Sequence, residues 1–314
     1  MGSSIRIGTR GSKLALWQAN WVKGALQDNT PSLSPELVII KTKGDRIQDI
    51  PLAQIGGKAL FIKEIEEALL SDKIDVAVHS MKDMPAEIPD GLCIGAIPER
   101  EIAADALISR NGKSLSELAA GSRIGTGSLR RGALLRHTRP DIQILPLRGN
   151  LDTRLRKLET EDMDAIVLAA AGVKRLGWEA RISEYIDEKT VLPAVGQGAL
   201  CIEAREGDAD TRSILAHLDH QETRIAITGE RAFLNRLEGS CHVPIAGLGK
   251  VEEDRFILDG LVADVEGKVV IRKTHSGPVS DSESIGIALA DRLLSMGAAS
   301  ILTQLEAEGK ADAR

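Results

Sequence analysis

Apolar residues fall into two alternating periods along the chain as far as Arg205. Short runs rich in branched residues, at 5–9, 36–42, 74–79 and 92–97, read as strands. The stretches between them carry apolar positions at helical spacing. Leu14, Trp17, Trp21 and Ala25 recur along one side of residues 12–29, and Phe61, Ile65 and Leu69 along one side of 58–71. Strand–helix alternation of this kind predicts an α/β layer structure with a largely parallel sheet.

A second unit of the same kind begins near Asp105. Ser114 and Glu117 form a capping-box pattern that predicts a helix start there. The second unit then repeats the first in order. Arg6-Ile-Gly-Thr9 with Ser12 matches Arg123-Ile-Gly-Thr126 with Ser128. Lys43-Gly44-Asp45 matches Arg148-Gly149-Asn150, and Asp75-Val-Ala-Val matches Asp164-Ala-Ile-Val. Two similar α/β lobes facing each other across a cleft are therefore expected. The first is discontinuous, 1–98 plus 199–216, because the strand at 199–205 crosses back into it; the second is 104–192. After that the grammar changes. A helix to Leu237, three strands at 245–251, 256–265 and 268–274, and two helices at 284–295 and 298–308 predict a small α+β C-terminal domain, 218–314, with a frayed polar tail.

Composition narrows the function classes. Hydrophobic residues are 43% of the chain and aromatics only 2%, so the core is aliphatic and a base-stacking surface for single-stranded nucleic acid is not expected. A net charge of −6 argues against a general nucleic-acid binder. No apolar run approaches the length of a membrane span, and the first ten residues lack the apolar core of a signal peptide. Cys93, Cys201 and Cys241 fit neither a zinc spacing nor a disulfide framework, so a reducing cytoplasm and no metal are expected.

The repeated Gly-Thr-x-Ser turns are the first candidates for chemistry. Each ends a strand just before a helix, where unpaired N–H groups and the helix dipole favour anions. Arg10, Arg130, Arg131, Arg148, Arg154 and Arg156 gather at these turns, and guanidinium suits carboxylates; solvated surface arginines are the alternative. Polar His79, Ser80, Lys82 and Asp83 close an apolar strand ahead of Pro85, making Asp83 a proton-transfer carboxylate or a plain helix cap. Cys241, in a Gly-Ser loop, is the candidate reactive thiol; Cys93 and Cys201 sit within strands. Gly125-x-Gly127, Gly196-x-Gly198 and Gly57-Lys58 all lack the rest of a nucleotide motif. His217 and His220 have no third metal ligand nearby and read as helix-surface residues.

Several segments together resemble one family. They are Arg6-Ile-Gly-Thr-Arg10, Gly56-Gly-Lys-Ala-Leu-Phe61, Val78-His-Ser-Met-Lys-Asp-Met-Pro85, Gly125-Thr-Gly-Ser-Leu-Arg-Arg131, Leu147-Arg-Gly-Asn150, Leu192-Pro-Ala-Val-Gly-Gln-Gly198 and Leu237-Glu-Gly-Ser-Cys-His-Val-Pro244. The chain resembles the porphobilinogen deaminases (hydroxymethylbilane synthases) over essentially its whole length. The resemblance implies two lobes of the type II periplasmic-binding-protein kind plus the C-terminal domain. It also implies a transferase of tetrapyrrole and haem biosynthesis that carries a dipyrromethane cofactor on a thioether to Cys241. Four porphobilinogen molecules are joined head to tail with release of ammonia, and hydrolysis frees hydroxymethylbilane.

By that resemblance Asp83 is catalytic. Ser12, Lys82, Asp83, Thr126, Ser128, Arg130, Arg131, Arg148 and Gly149 hold the cofactor. Arg10, Lys58, Arg148, Arg154, Arg175 and Gln197 hold the substrate. Residues 44–58 correspond to a mobile lid. Gln54 stands where some members have lysine, and Gly127 where serine is common. A cytoplasmic monomer without nucleic-acid or membrane partners is implied. The other class that fits two lobes around an anion-binding cleft is a solute-binding protein for a small polycarboxylate; the lack of a secretion signal and the cysteine-bearing third domain weigh against it.

Overall fold

A computed structural model describes residues 4–46, 62–237 and 243–312, which form two compact units. Unit 1 comprises residues 1–101 and 199–224, and unit 2 residues 102–198 and 225–314.

In unit 1 the elements are β1 (Ser4–Thr9), α1 (Lys13–Asn29), β2 (Ser34–Ile39), a single turn α2 (Lys43–Arg46), α3 (Lys63–Leu70), β3 (Val76–Ser80) and β4 (Leu92–Ala96). In unit 2 they are β5 (Asp105–Ser109), β6 (Arg123–Gly125), α4 (Leu129–Thr138), β7 (Gln143–Leu145), α5 (Leu151–Thr160), β8 (Ala165–Ala169), α6 (Ala170–Arg175) and β9 (Glu184–Ile186). The chain then returns to unit 1 for β10 (Leu200–Arg205) and α7 (Ala209–Leu215).

The two sheets have corresponding orders, β2-β1-β3-β10-β4 and β7-β6-β8-β5-β9. In each, the first three strands are parallel, and the fourth, β10 or β5, is antiparallel to both neighbours. This is the strand arrangement of type II periplasmic-binding-protein-like lobes. Strand alternation distributes the core. Val76 and Val78 pack with Val22 and Leu26 of α1, while Ala77 packs with Ile65, Ala68 and Leu69 of α3. In unit 2, Ala165 and Val167 pack with Leu134 and Leu135, and Ile166 and Leu168 with Leu155 and Leu158.

The sequence repeat has a physical basis. Arg6 N–H donates to Asp75 Oδ2 at 2.8 Å and Asp75 N–H returns to the Arg6 carbonyl at 2.9 Å. Arg123 and Asp164 do the same at 2.7 and 2.8 Å. In each unit this exchange fixes the start of the central strand against the first.

The C-terminal part supplies α8 (Gln221–Arg236), an antiparallel meander of β11 (Ile245–Glu252), β12 (Arg255–Ala263) and β13 (Val270–Pro278), then α9 (Ser282–Leu293) and α10 (Ala299–Asp312). Ala246, Leu248, Leu261 and Ala263 join the core that holds Leu134 and Leu135, which is why this part is compact with the second lobe. Its other core gathers Phe233, Phe256, Leu289 and Leu293. The tail expected to fray continues as helix to Asp312.

Two expectations change. Ser114 and Glu117 make one capping-box bond, Ser114 N–H to Glu117 Oε2 at 2.8 Å, but Ser114 Oγ donates to the same carboxylate at 2.6 Å and 115–117 is only a turn. Leu115 N–H is taken by Glu184 Oε2 at 2.6 Å, which turns the segment toward β9. The span Val279–Leu305 is long and apolar enough to cross a membrane, with mean hydropathy 1.5, contrary to the sequence reading. Gly297, at φ 112°, breaks its helical geometry. Ile285, Leu289, Leu293 and Ala298 are buried in the core with the meander.

Candidate active site

In unit 1, polar side chains collect where β1 and β3 end. Arg10, Ser12, Gln18, His79, Ser80 and Asp83 line one cavity. Local rules put them there. Ser12 is extended and caps α1, its hydroxyl accepting from Ala15 N–H at 3.3 Å. Buried Gln18 on α1 donates to Ser80 Oγ at 2.9 Å, pinning the end of β3. A single 3₁₀ turn, Met81–Asp83, then seats Met81 in the interior and leaves the Asp83 carboxylate exposed. Lys82 is in the same turn, half-buried.

His79 on this strand has no role assigned from the sequence. Its Nε2 lies 3.2 Å from Oε2 of Glu203 on the adjacent β10, and both side chains are buried, Glu203 fully. Glu66 on α3 is close enough to feel both. Desolvation pushes its pKa up and Glu203 adds to the rise, while His79 opposes it.

In unit 2 the corresponding turn is built the same way. Ser128 caps α4 by accepting from Arg131 N–H at 3.4 Å, and buried Thr126 accepts from Ser128 N–H at 3.2 Å. Gly127 is at the surface beside a backbone oxygen: a Cβ there would lie 2.6 Å from the Leu147 carbonyl, so this turn has no room for a side chain.

Arg130 and Arg131 do not point outward. Their side chains are only 6% exposed and enclose a fully buried Asp105. Arg130 donates to Asp105 Oδ2 at 2.7 Å and to the Leu192 carbonyl at 2.6 Å. Arg131 donates twice to Oδ1, at 2.9 and 2.7 Å, and to the Val167 carbonyl at 3.2 Å. Burial pushes the Asp105 carboxyl up, but the charges of Arg130 and Arg131 and their hydrogen bonds outweigh it and hold the pKa at about 2. The cluster carries two positive charges against one negative.

Gln197, expected at the substrate, is tied to the Asp105 cluster. Its amide is fully buried, with Nε2 donating to the Ala103 carbonyl at 2.6 Å and to Asp105 Oδ1 at 2.9 Å. Arg175 donates to the Gly198 carbonyl at 2.6 Å, and Arg154 Nε to the Gly149 carbonyl at 2.8 Å. Gly149 needs its freedom: φ is 108°, and a Cβ would meet Thr153 Cγ2 at 2.6 Å. Arg148 is half-buried beside this turn. Lys58, Gln54 and Cys241 lie outside the described residues. Asp105 escapes the sequence reading; its signal is a lone acid opening an apolar strand, ahead of two adjacent arginines.

Among the described residues no group of three His, Cys, Asp or Glu is arranged to hold a metal. His220 caps α8 instead, its Nδ1 lying 3.3 Å from Thr223 N–H. Cys201 is buried; Cys93 is half-buried, and desolvation pushes its thiol up.

Fold and site together define a class: an α/β protein in which a capped helix start adjoins a buried arginine cluster in one unit, while a carboxylate lines a polar cavity in the other. Comparison with known proteins narrows it. Residues 5–213 match the family model for the porphobilinogen deaminase dipyromethane cofactor binding domain, and residues 224–295 the porphobilinogen deaminase C-terminal domain. Porphobilinogen deaminase of Syntrophotalea carbinolica is 53% identical over 304 residues, 97% of this chain and 96% of its own length. That of Geobacter metallireducens is 53% identical over 301 residues, 96% of this chain and 94% of its own. That of Nitratidesulfovibrio vulgaris is 53% identical over 308 residues, 98% of each. The chain belongs to the porphobilinogen deaminase family. A solved structure of the methionine binding protein MetQ aligns with 68% of this chain and 89% of its own, at TM-score 0.44 and 16% identity. The lobe class rests on the strand order rather than on that alignment.

Proposed function

We infer that this chain is a transferase that joins four porphobilinogen molecules into hydroxymethylbilane on a covalent dipyrromethane. The observation that carries this is the near full-length identity to the family, with Asp83 intact at the mouth of a cavity shared with Arg10 and Ser12. The donor set of unit 2 fits a polycarboxylate: a capped helix start at Thr126 and Ser128, a buried cluster of net positive charge, and Arg148 beside Gly149. When bound, the dipyrromethane supplies the free pyrrole carbon to which each new unit is joined.

The chain's own residues divide the remaining work. Arg10, Ser12 and Lys82 bind carboxylates at the unit 1 cavity. Asp83 accepts from pyrrole N–H groups and stabilises positive charge on the reacting ring. Thr126, Ser128 and Arg148 take carboxylates in unit 2, over the positive potential of Arg130 and Arg131. Arg154, Arg175 and Lys58 serve the growing chain, Cys241 anchors it, and a cytoplasmic monomer goes with this reading.

Intact-protein mass spectrometry tests it. Freshly purified active protein is expected to carry the mass of two linked pyrrole units, and Cys241→Ser none. An unmodified mass for active wild type overturns the reading. Asp83→Ala is expected to lose nearly all ammonia release from porphobilinogen with the fold intact; normal release removes Asp83 from its role.

A further inference from the structure

His79 lines the cavity that holds Asp83 and pairs with buried Glu203, and the roles given to the other cavity residues leave this pair unused. Its geometry is specific. Glu203 sits on β10, whose Cys201 is the register partner of His79 on β3, so the pair spans one inter-strand step. A carboxylate only accepts hydrogen bonds, so the proton of the 3.2 Å contact belongs to His79 Nε2. The proton-accepting nitrogen of the neutral ring is then Nδ1. His79 lines the cavity together with Arg10, Ser80 and Asp83.

Among the described residues, buried Glu203 Oε1 and Glu66 Oε1 have no hydrogen-bond partner. The charged groups near His79, among the described residues, are Glu203 from β10, Glu66 from α3, Asp83 and Lys82 from the turn after β3, and Arg10 from the turn after β1. Glu203 and Glu66 thus bring two carboxyl groups into the neighbourhood of one imidazole.

We propose that His79 is a second proton-transfer residue of this cavity and that Glu203 is the residue that positions it. The proposal rests on the transferase function inferred for the chain. Porphobilinogen enters with its aminomethyl group as ammonium. The C–N bond breaks and its electron pair leaves with ammonia. The pyrrole N–H proton passes to His79 Nδ1, and the N–H electron pair stays in the ring, giving a neutral azafulvene. Imidazolium then returns the proton to the departing ammonia as ammonium, and charge and atoms balance. Asp83 stays ionised beside the ring throughout and accepts from the N–H groups of the neighbouring pyrroles, leaving the reacting ring's N–H to His79.

The test is the pH profile of kcat for ammonia release by the cofactor-loaded enzyme, with loading read by intact mass. His79→Gln keeps an N–H donor near the Nε2 position but takes no proton. It is expected to lower kcat roughly 100-fold, the low end for proton-transfer groups, with KM little changed and one limb of the pH profile lost. Glu203→Gln keeps the volume and is expected to lower kcat and displace the same limb. Wild-type kcat in His79→Gln overturns the proposal. So does a lowered kcat with the profile unchanged in shape, because a structural role moves the rate at every pH. If His79→Gln gives no cooperative melt, the profile of Glu203→Gln decides, and an unchanged profile there refutes the role. Failure of wild type to release ammonia or to carry the pyrrole mass refutes the parent reading instead.

Discussion

Replacing Asp105 with asparagine removes the one negative charge that faces Arg130 and Arg131 in the interior of unit 2. The magnitude can be worked by two routes. The carboxyl pKa falls from 3.8 to about 2 on folding, which at 1.36 kcal/mol per unit links its ionisation to about 2 kcal/mol of stability. Truncating one partner of a buried ionic cluster also leaves the opposing charges desolvated and unmatched, and such changes cost about 3–5 kcal/mol. The amide can accept from Arg131, but it turns an NH2 toward Arg130 or the Gln197 amide. At about 2–4 °C per kcal/mol, the two routes together give an expected loss in melting temperature of roughly 4–20 °C.

Thermal melts followed by circular dichroism measure it, with Asp162→Asn as the reference. Asp162 also pairs with an arginine, Arg123, but is 81% exposed, and such pairs contribute at most about 1 kcal/mol. The sign with pH is fixed. Asp105 has a depressed pKa, so its contribution is complete above the unfolded value of 3.8 and is lost as pH falls through about 2. The wild-type advantage over Asp105→Asn should therefore shrink across that window. A melting temperature for Asp105→Asn no lower than that of Asp162→Asn, or an advantage that stays constant down to pH 2, refutes the buried-cluster account.

Two further substitutions probe how the C-terminal part is held. Glu230 on α8 is fully buried and accepts from Gly196 N–H and Gly249 N–H, both at 2.7 Å, so Glu230→Gln leaves one buried donor unmatched. A loss of about 1.5–3 kcal/mol in urea unfolding is expected, and a loss under about 0.5 kcal/mol rules the clamp out. Gly286 lets α9 approach α8: a Cβ there would lie 2.2 Å from the Gly229 carbonyl and 3.0 Å from Phe233 N. Gly286→Ala should destabilise by about 1–3 kcal/mol despite the better helix propensity of alanine, and a rise in melting temperature would show that the contact gives way.

The lobes were legible because their determinants are local. The period-2 runs, the Ser12 and Ser128 caps, and the paired Arg6/Asp75 and Arg123/Asp164 starts all act within one strand–helix step or across adjacent strands. The return of β10 was legible from its apolar run, since a strand of that kind needs a sheet. The Ser114 box misled because its one bond forms equally in an isolated turn, and Glu184, from β9, captures the next N–H. What stayed hidden is separated in sequence. Asp105 meets its arginines 25 and 26 residues on and Gln197 92 residues on. His79 meets Glu203 124 residues on. Neither partnership has a motif, because each depends on which strand enters the sheet antiparallel and in which register.

Those two hidden clusters have opposite electrical character, and that opposition bears on the chemistry. Unit 2 buries two guanidinium groups around one carboxylate, an excess of positive charge beneath a capped helix start. On the proposed function, such a site would hold the carboxylates of a polypyrrole without needing every arginine to touch one. Unit 1 gathers Glu203 and Glu66 around one imidazole, with Asp83 at the cavity mouth. On the proposed function, Asp83 there would stabilise the positive charge that develops when an aminomethylpyrrole expels ammonia. The repeat that made the lobes look alike therefore preserved the backbone frame while the buried partners diverged. The antiparallel strand carries that divergence in each unit: β5 brings Asp105 to a pair of arginines, and β10 brings Glu203 to a histidine.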